Sequence, residues 1–390
     1  MKYFHKLNRI LNSIWAIPTV LAIRLIRPIL IIKIISLHFE RIGHFVVDST
    51  HHAIKNKSLS WNELNIFSIP KNTCNNQWAK MVKRNVASFY FFEHIEYWNK
   101  KIPLGEKHIL GSNLFPNSRD VEGWFENNSF KFEFLDEENE QAKKWLESFG
   151  WKKSEPFVCL IVRDSAYLNS APDFINLDHD WSYHDYRNSD ISDYELSIKW
   201  LLEQGIWVIR MGKAANKPAN IKHEKFIDYP FLDTKSDLLD VWLFANCQLC
   251  ISTLCGIDEI SVVYRRPILL VNFLPLSDIK SWSNAMYVPK KLIWKEDGRE
   301  LSLRENLTNS FYYLEEYIKA KIEIEDLSEE EILLSVKESW EFIKNKQILN
   351  QESRDLQDRF WKIVNPDKTS EESKEVIHIK RNHEWIHPKT

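Results

Sequence analysis

Four short stretches between Arg163 and Pro267 hold the residues best suited to bind a charged, hydroxyl-rich ligand. Arg163, Asp164, Ser165 and Tyr167 follow the apolar run FVCLIV at 157–162, and Tyr183, Arg187, Asn188 and Asp190 fall in the polar, aromatic stretch that comes next. Arg210, Gly212 and Lys213 close a second apolar run, and Ser252, Thr253, Gly256 and Glu259 close a third. Arg163, Arg187, Arg210 and Lys213 are the cations that a pyrophosphate needs when no metal offsets its charge. The turn Ser252-Thr-Leu-Cys-Gly256 precedes a predicted helix start, where unpaired amides and the helix dipole favour a phosphate. Glu259, in the first turn of that helix, could accept hydrogen bonds from a ribose or sugar hydroxyl, and ordinary helix capping is the alternative reading. Tyr167, Tyr183 and Tyr186 could stack on a base or a sugar.

Two other chemistries are weighed in the same region. Asp178-His179-Asp180, with His184 and Asp185 nearby, imitates a D-x-D metal site, and a solvated loop is the alternative. Cys247 and Cys250 form a C-x-x-C, but no second pair or histidine pair follows as a zinc site would require, and the pair enters an apolar run. The five cysteines are odd in number and irregularly spaced, so reduced thiols in a cytoplasmic, apolar interior are expected.

The elements that must position these residues alternate. Apolar strand candidates at 157–162, 206–211, 249–252 and 268–273 are separated by predicted helices that open at Ser192-Asp-Tyr-Glu195, at Ser236 and at Ile257. Such alternation predicts a mostly parallel, doubly wound sheet, because parallel neighbours need crossovers, and in such sheets ligands bind beyond the carboxyl ends of the strands. The singled-out residues all follow those ends. The length of 390 residues suits two domains. We expect an α/β domain over 1–150 beginning with a buried strand near 29–37, a second over 151–345 after a linker at 151–156, and a charged helix and tail over 346–390. An apolar fraction of 44 % and a net charge of −3 fit a folded globular chain with no basic field for nucleic acid.

The N-terminus is compositionally distinct. Residues 1–39 contain Lys2, Lys6, Arg9, Arg24, Arg27 and Lys33 and no acidic residue, around an apolar run from Ile10 to Ile23. That run is shorter than the roughly 20 apolar residues of a membrane-spanning helix, and it lacks the small-residue cleavage site of an export signal. Residues 1–35 are expected to lie on an anionic membrane surface, with Trp15 at the headgroup level, to form an ordinary first helix and strand of the domain, or to do both.

The motifs Val162-Arg-Asp-Ser-Ala-Tyr167, Tyr183-His-Asp-Tyr-Arg-Asn-Ser-Asp-Ile191, Trp207-Val-Ile-Arg-Met-Gly-Lys213 and Ser252–Glu259 resemble bacterial surface-polysaccharide glycosyltransferases. The last also resembles the donor-side turn of GT-B glycosyltransferases and of nucleotide-sugar epimerases. Arg163 is similarly placed to the arginine of metal-independent fucosyltransferases, although Ile161 stands where those enzymes carry a histidine. The resemblance covers about 155–275, with an echo at Arg41-Ile42-Gly43-His44. It implies a GT-B-like fold of two Rossmann-like domains facing a cleft. The activity implied is transfer of a sugar from a nucleotide-sugar to a polysaccharide or lipid-linked glycan, without a metal cofactor. Within that reading Arg163 stabilises the leaving diphosphate, and His44, neutral at pH 7, is the candidate base toward the acceptor. The rival functions are a nucleotide-sugar epimerase or hydrolase sharing this turn, and a non-catalytic membrane-associated partner in polysaccharide assembly.

Overall fold

The computed structural model describes residues 2–115, 120, 123–169, 182–279 and 285–345 and single positions between 351 and 363, with residues 2–9 as backbone. The chain divides into two compact units, Met1–Arg119 with Phe130–Phe134 and Asp120–Ser129 with Leu135–Thr390.

The first unit runs through α1 (Lys2–Leu25), β1 (Ile31–Ser36), α2 (Ile42–Asn56), β2 (Glu63–Ser68), α3 (Asn76–Asn85), α4 (Phe92–Lys101) and β3 (Ile109–Leu110). Its sheet is parallel, in the order β2-β1-β3. β1 is the expected buried strand: Ile32, Ile34 and Ile35 sink into the interior, as β-branched side chains do on a covered sheet. Ala16, Val20 and Ile23 of α1 pack with Ile32, Ile34, Ile66, Phe92 and Ile95, so this helix is part of the core of its unit.

The second unit continues with α5 (Trp124–Asn127), α6 (Asp136–Glu147), β4 (Phe157–Ile161), α7 (Ala166–Asn169), α8 (Glu195–Glu203), β5 (Trp207–Arg210), β6 (Phe226–Asp228), α9 (Asp237–Asn246), β7 (Leu249–Ser252), α10 (Glu259–Val263), β8 (Ile268–Phe273) and β9 (Ala285–Pro289). A two-stranded antiparallel pair, β10 (Lys291–Trp294) and β11 (Ile322–Glu325), accompanies α11 (Leu303–Thr308) and α12 (Leu314–Lys319), and α13 (Glu329–Asn345) follows. The main sheet is parallel throughout, in the order β6-β5-β4-β7-β8-β9. Strand order reverses between β4 and β7, as in a Rossmann sheet. The α/β class with a parallel sheet in each unit, expected from the alternation of strands and helices, is the class the chain has.

Local details depart from expectation where short-range chemistry was ambiguous. Asp190, not Ser192, caps the segment before α8: its carboxylate accepts the Ser192 amide at 2.8 Å and a 3₁₀ turn, 191–194, comes first. Gly205 does end α8, at φ +78°. Ser236 caps α9, accepting the Leu239 amide at 3.2 Å. The expected division at 150 falls within the second unit, because α6 is anchored there by Trp242 Nε1 donating to Asn139 Oδ1 at 3.0 Å. Trp151, in the expected linker, is buried. The expected tail after 345 lies mostly outside the described residues.

Candidate functional site

The carboxyl ends of β4 and β7 are stitched together at the point where the strand order reverses. The Arg163 amide donates to Thr253 Oγ1 at 2.8 Å, and the Thr253 amide donates to the Ile161 carbonyl at 3.3 Å. Arg187 reaches the same turn from the 3₁₀ segment 182–187, its Nη2 donating to the Leu254 carbonyl at 2.6 Å. The Nε atoms of Arg163 and Arg187 are both buried without a hydrogen-bond partner. Burial lowers the Arg163 pKa from its ordinary value, and the neighbouring charge of Arg187 lowers it further. Two guanidinium groups thus repel each other at one sheet edge, and among the described residues neither forms an ion pair with a carboxylate. An anion between them would relieve the repulsion and supply the missing acceptors.

The turn after β7 is self-contained. Asp258, fully buried, accepts the Ser252 hydroxyl at 2.7 Å and the Cys255 amide at 3.2 Å, while Ser252 Oγ accepts the Leu254 amide at 3.1 Å. Leu254 and Gly256 take positive φ values of 63° and 78° within it. The Ser252 and Thr253 side chains therefore shape the turn, holding it against β4. Glu259 begins α10 and is half-buried, with its amide on the Gly256 carbonyl at 3.3 Å. The sequence pointed to Glu259 and passed over its neighbour Asp258. The signal was an acidic residue placed to reach back to a serine six positions earlier.

The other expected contacts divide. Arg210 is withdrawn from the site: only 2 % of it is exposed, and its Nη1 binds the Lys217 carbonyl at 2.8 Å and Asp228 Oδ1 at 3.3 Å. Asp228 ends β6, the strand beside β5, so this arginine is an internal ion pair within the sheet. Lys213 is likewise engaged, at 3.2 Å from Asp237 and 3.8 Å from Asp240 at the start of α9. Burial penalises its ammonium, and the two carboxylates outweigh that penalty and raise its pKa. Asp240 is pushed up to about 6, by burial first, against the pull of Lys213 and of the Tyr229 hydroxyl at 2.9 Å. Burial is the largest single influence on both partners: it raises the Asp240 carboxyl outright, while at Lys213 the two carboxylates together outweigh it.

Asp164 and Ser165 tie two loops together, since Asp164 accepts the Ala166 and Asn216 amides at 2.9 Å each and Asn216 Nδ2 donates to Ser165 Oγ at 3.2 Å. Asp190, besides capping, pairs with Lys217 at 2.7 Å. Gly212 has φ +144°, and a Cβ there would meet the Ala214 carbonyl at 3.3 Å, so the glycine serves the turn of its own chain. Tyr167 is half-buried on α7. Tyr183 stacks obliquely on His184 at 4.1 Å and on Tyr313 at 5.4 Å. Tyr186 packs against Tyr317 and its hydroxyl is pushed up to about 12 by burial. Asn188 donates to Asp185 Oδ1 at 2.9 Å, while its carbonyl accepts Lys290 Nζ at 2.8 Å.

Lys290 was missed by the sequence reading. It is buried between the Asn188 carbonyl and Asp326 Oδ1, at 2.5 Å from the latter. Asn272 Nδ2 donates to Ser189 Oγ at 3.1 Å, and the Ser189 amide donates to the Arg163 carbonyl at 3.0 Å. This network fixes the segment that carries Arg187 against β4 and β8, and a lysine beyond the last sheet strand gave no local hint of it.

In the first unit His44 lies in the first turn of α2, beyond the end of β1. Its pKa is lowered to about 4, by burial first and then by the charges of Arg41 and His38, so the imidazole is neutral at pH 7. His38 lies 5.7 Å away ring to ring, and its Nε2 meets Ser112 Oγ at 2.8 Å. His52, also lowered to about 4 by burial, has its Nε2 between the carbonyls of Ser112 at 2.9 Å and Gly111 at 3.1 Å. These residues bring the ends of β1 and β3 together.

No group of three or more His, Cys, Asp or Glu side chains is placed to hold a metal ion among the described residues. Asp178-His179-Asp180 lies outside those residues. Cys159, Cys247 and Cys250 are buried in and beside β4 and β7, where Cys159 and Cys250 are register partners, and act as core thiols.

Neither a protein-family model nor a curated protein sequence matches the chain. Among solved structures, it is similar to the ADP-heptose LPS heptosyltransferase II of E. coli at 10% identity and a TM-score of 0.45, over 81% of this chain and 100% of that one. It is also similar to a family 9 glycosyl transferase from Veillonella parvula DSM 2008 at 9% identity and a TM-score of 0.49, over 80% of this chain and 97% of that one.

Proposed function

We propose that the chain is a GT-B-type glycosyltransferase whose second unit binds a nucleotide-sugar through its diphosphate. The observation that carries this reading is the pair Arg163 and Arg187, two half-buried arginines whose Nε atoms are buried and unsatisfied at the switch point between β4 and β7. Their charges are matched by a group carrying at least two negative charges, and the carboxyl end of a Rossmann sheet is where nucleotides bind. The motif resemblance over 155–275 points to the same ligand.

In the transfer step the acceptor oxygen bonds to the sugar's anomeric carbon as the bond from that carbon to the diphosphate oxygen breaks. The acceptor proton goes to a base, and the leaving diphosphate takes up negative charge. Arg163 and Arg187 would stabilise that charge. His44 is the candidate base: its imidazole is neutral at pH 7, and bound substrate would have to raise its lowered proton affinity for it to take the acceptor proton. A surface polysaccharide or lipid-linked glycan is the proposed acceptor, and the cytoplasmic face of a membrane the proposed place of action.

The test is calorimetric titration with UDP, GDP, CDP and ADP and with the corresponding nucleosides, on the wild type and on Arg187→Ala. At least one diphosphate should bind, its nucleoside should bind far more weakly, and the variant should lose most of the difference. Equal binding of nucleoside and diphosphate, or no binding of any, overturns the reading. Breakdown of a nucleotide-sugar at full rate with no acceptor present would replace transfer by hydrolysis.

A further inference from the structure

One helix of the first unit has two apolar faces, and its unit covers only one. Ala16, Val20 and Ile23 of α1 are buried against β1, β2 and α4. On the opposite side Ile10, Leu11, Ile14, Leu21 and Leu25 are exposed, with Ile14 at 77 % and Leu25 at 82 %. At 100° per residue these five positions fall within an arc of about 100°, so they form one continuous strip. From Ile10 to Leu25 the strip runs about 22 Å at 1.5 Å per residue. Ile29, past the helix end, is also 70 % exposed.

We infer that this strip of α1 lies flat on a lipid surface bearing anionic headgroups, with the opposite face held to the body of the first unit. Composition favours this occupant over an uncharged apolar partner: residues 1–39 hold six Lys and Arg and no Asp or Glu. Lys33 is matched by a carboxylate from further along the chain, at 2.6 Å from Glu63, and Arg24 is held by uncharged acceptors. A segment that combines exposed apolar side chains with an excess of positive charge suits an interface of acyl chains and phosphates. No described helix is long and apolar enough to cross a membrane, so the fit is to its surface.

The structure also redistributes the roles expected within this segment. Arg24 faces α4 and caps it: its Nη2 donates to the Asn99 carbonyl at 3.0 Å and the Ile102 carbonyl at 2.9 Å, its Nε to Asn99 Oδ1 at 3.1 Å, and its Nη1 to the Pro103 carbonyl. Trp15 is turned the same way, edge-on to Phe91 and His94 at 5.8 and 5.9 Å. Neither side chain belongs to the lipid-facing strip, so neither is a suitable probe of it.

The inference is independent of the sugar-transfer reading and is tested on the full chain. Co-sedimentation is measured with vesicles of phosphatidylglycerol mixed with phosphatidylcholine and with vesicles of phosphatidylcholine alone. The wild type should pellet with the anionic vesicles, less so as salt rises and little with the neutral ones. The double variant Ile14→Glu/Leu21→Glu should remain in the supernatant while melting at the wild-type temperature, since both side chains are exposed. Absence of pelleting by the wild type, or equal pelleting by the variant, overturns the inference. So does a wild-type dimer in analytical ultracentrifugation that the same variant dissolves, because the strip would then be covered by a second copy of the chain.

Discussion

Asp258 holds the hydroxyl of Ser252 at 2.7 Å, so the turn closing β7 is shaped by a buried carboxylate that faces away from solvent. Removing it leaves the Ser252 hydroxyl and the Cys255 amide without their acceptor. Asp258→Ala should therefore cost on the order of 2–4 kcal/mol of stability, the cost of stranding polar groups in a buried site. Glu259→Gln, one residue on, should leave the melting temperature nearly unchanged and weaken donor binding by about 1.5–3 kcal/mol, the range for hydrogen bonds to a charged group. Thermal melts and calorimetry on both variants decide the matter. If Glu259→Gln lowers the melting point at unchanged donor affinity, it is helix architecture and leaves the site.

This pair of residues also marks how far the sequence could be read. β7, β8 and the Ser236 cap of α9 were legible because apolar runs and caps are local signals. Arg210 was misplaced because its partner Asp228 ends β6, whose three residues are too short to show a period. The ion pairs of Lys213 could not be read because Asp237 and Asp240 look like ordinary first-turn acids until the sheet brings them to it. Arg163 and Arg187 were found together because each lies near a conspicuous strand end or aromatic segment. Lys290 and Asp326, 36 positions apart, meet only through tertiary packing.

His44 should titrate far below an ordinary imidazole. Its folded pKa of about 4 against a usual 6.5 reflects burial, so the stability gained by keeping it neutral is complete above pH 6.5 and is lost as pH falls through 4. NMR of the ring protons should give a midpoint near 4, and a midpoint between 6 and 7 would refute the buried placement. As base, His44→Gln should lower the transfer rate at least about 100-fold with donor affinity unchanged.

Asp240 predicts a slope of the opposite sense. Its folded pKa, about 6, is raised by burial above the usual 3.8, so its contribution to stability is fully present below pH 3.8 and lost as pH rises through 6. Asp240→Asn, neutral at every pH, should gain on the wild type by about 1–3 kcal/mol between pH 4 and pH 7, because a tenfold change in proton affinity is worth about 1.4 kcal/mol. Urea unfolding at a series of pH values measures this, and parallel curves would show that the carboxyl is not strained in the fold.

Transfer should survive EDTA, because Arg163 and Arg187 offer the diphosphate two fixed positive charges. Loss of activity with chelator and its return with Mn²⁺ or Mg²⁺ would transfer the role to Asp178 and Asp180.

The latch between Arg24 and the end of α4 has a practical consequence for any shortened form of this protein. Deleting the residues before β1 removes the apolar strip, but it also uncovers Ile32, Ile66, Phe92 and Ile95 and strips the last turn of α4 of its donor. Such a fragment should be less tractable than the whole chain, with a newly bared patch of its own interior prone to self-association. Solubility is better sought by replacing exposed side chains of α1 one at a time, which leaves the inner face of the helix in place.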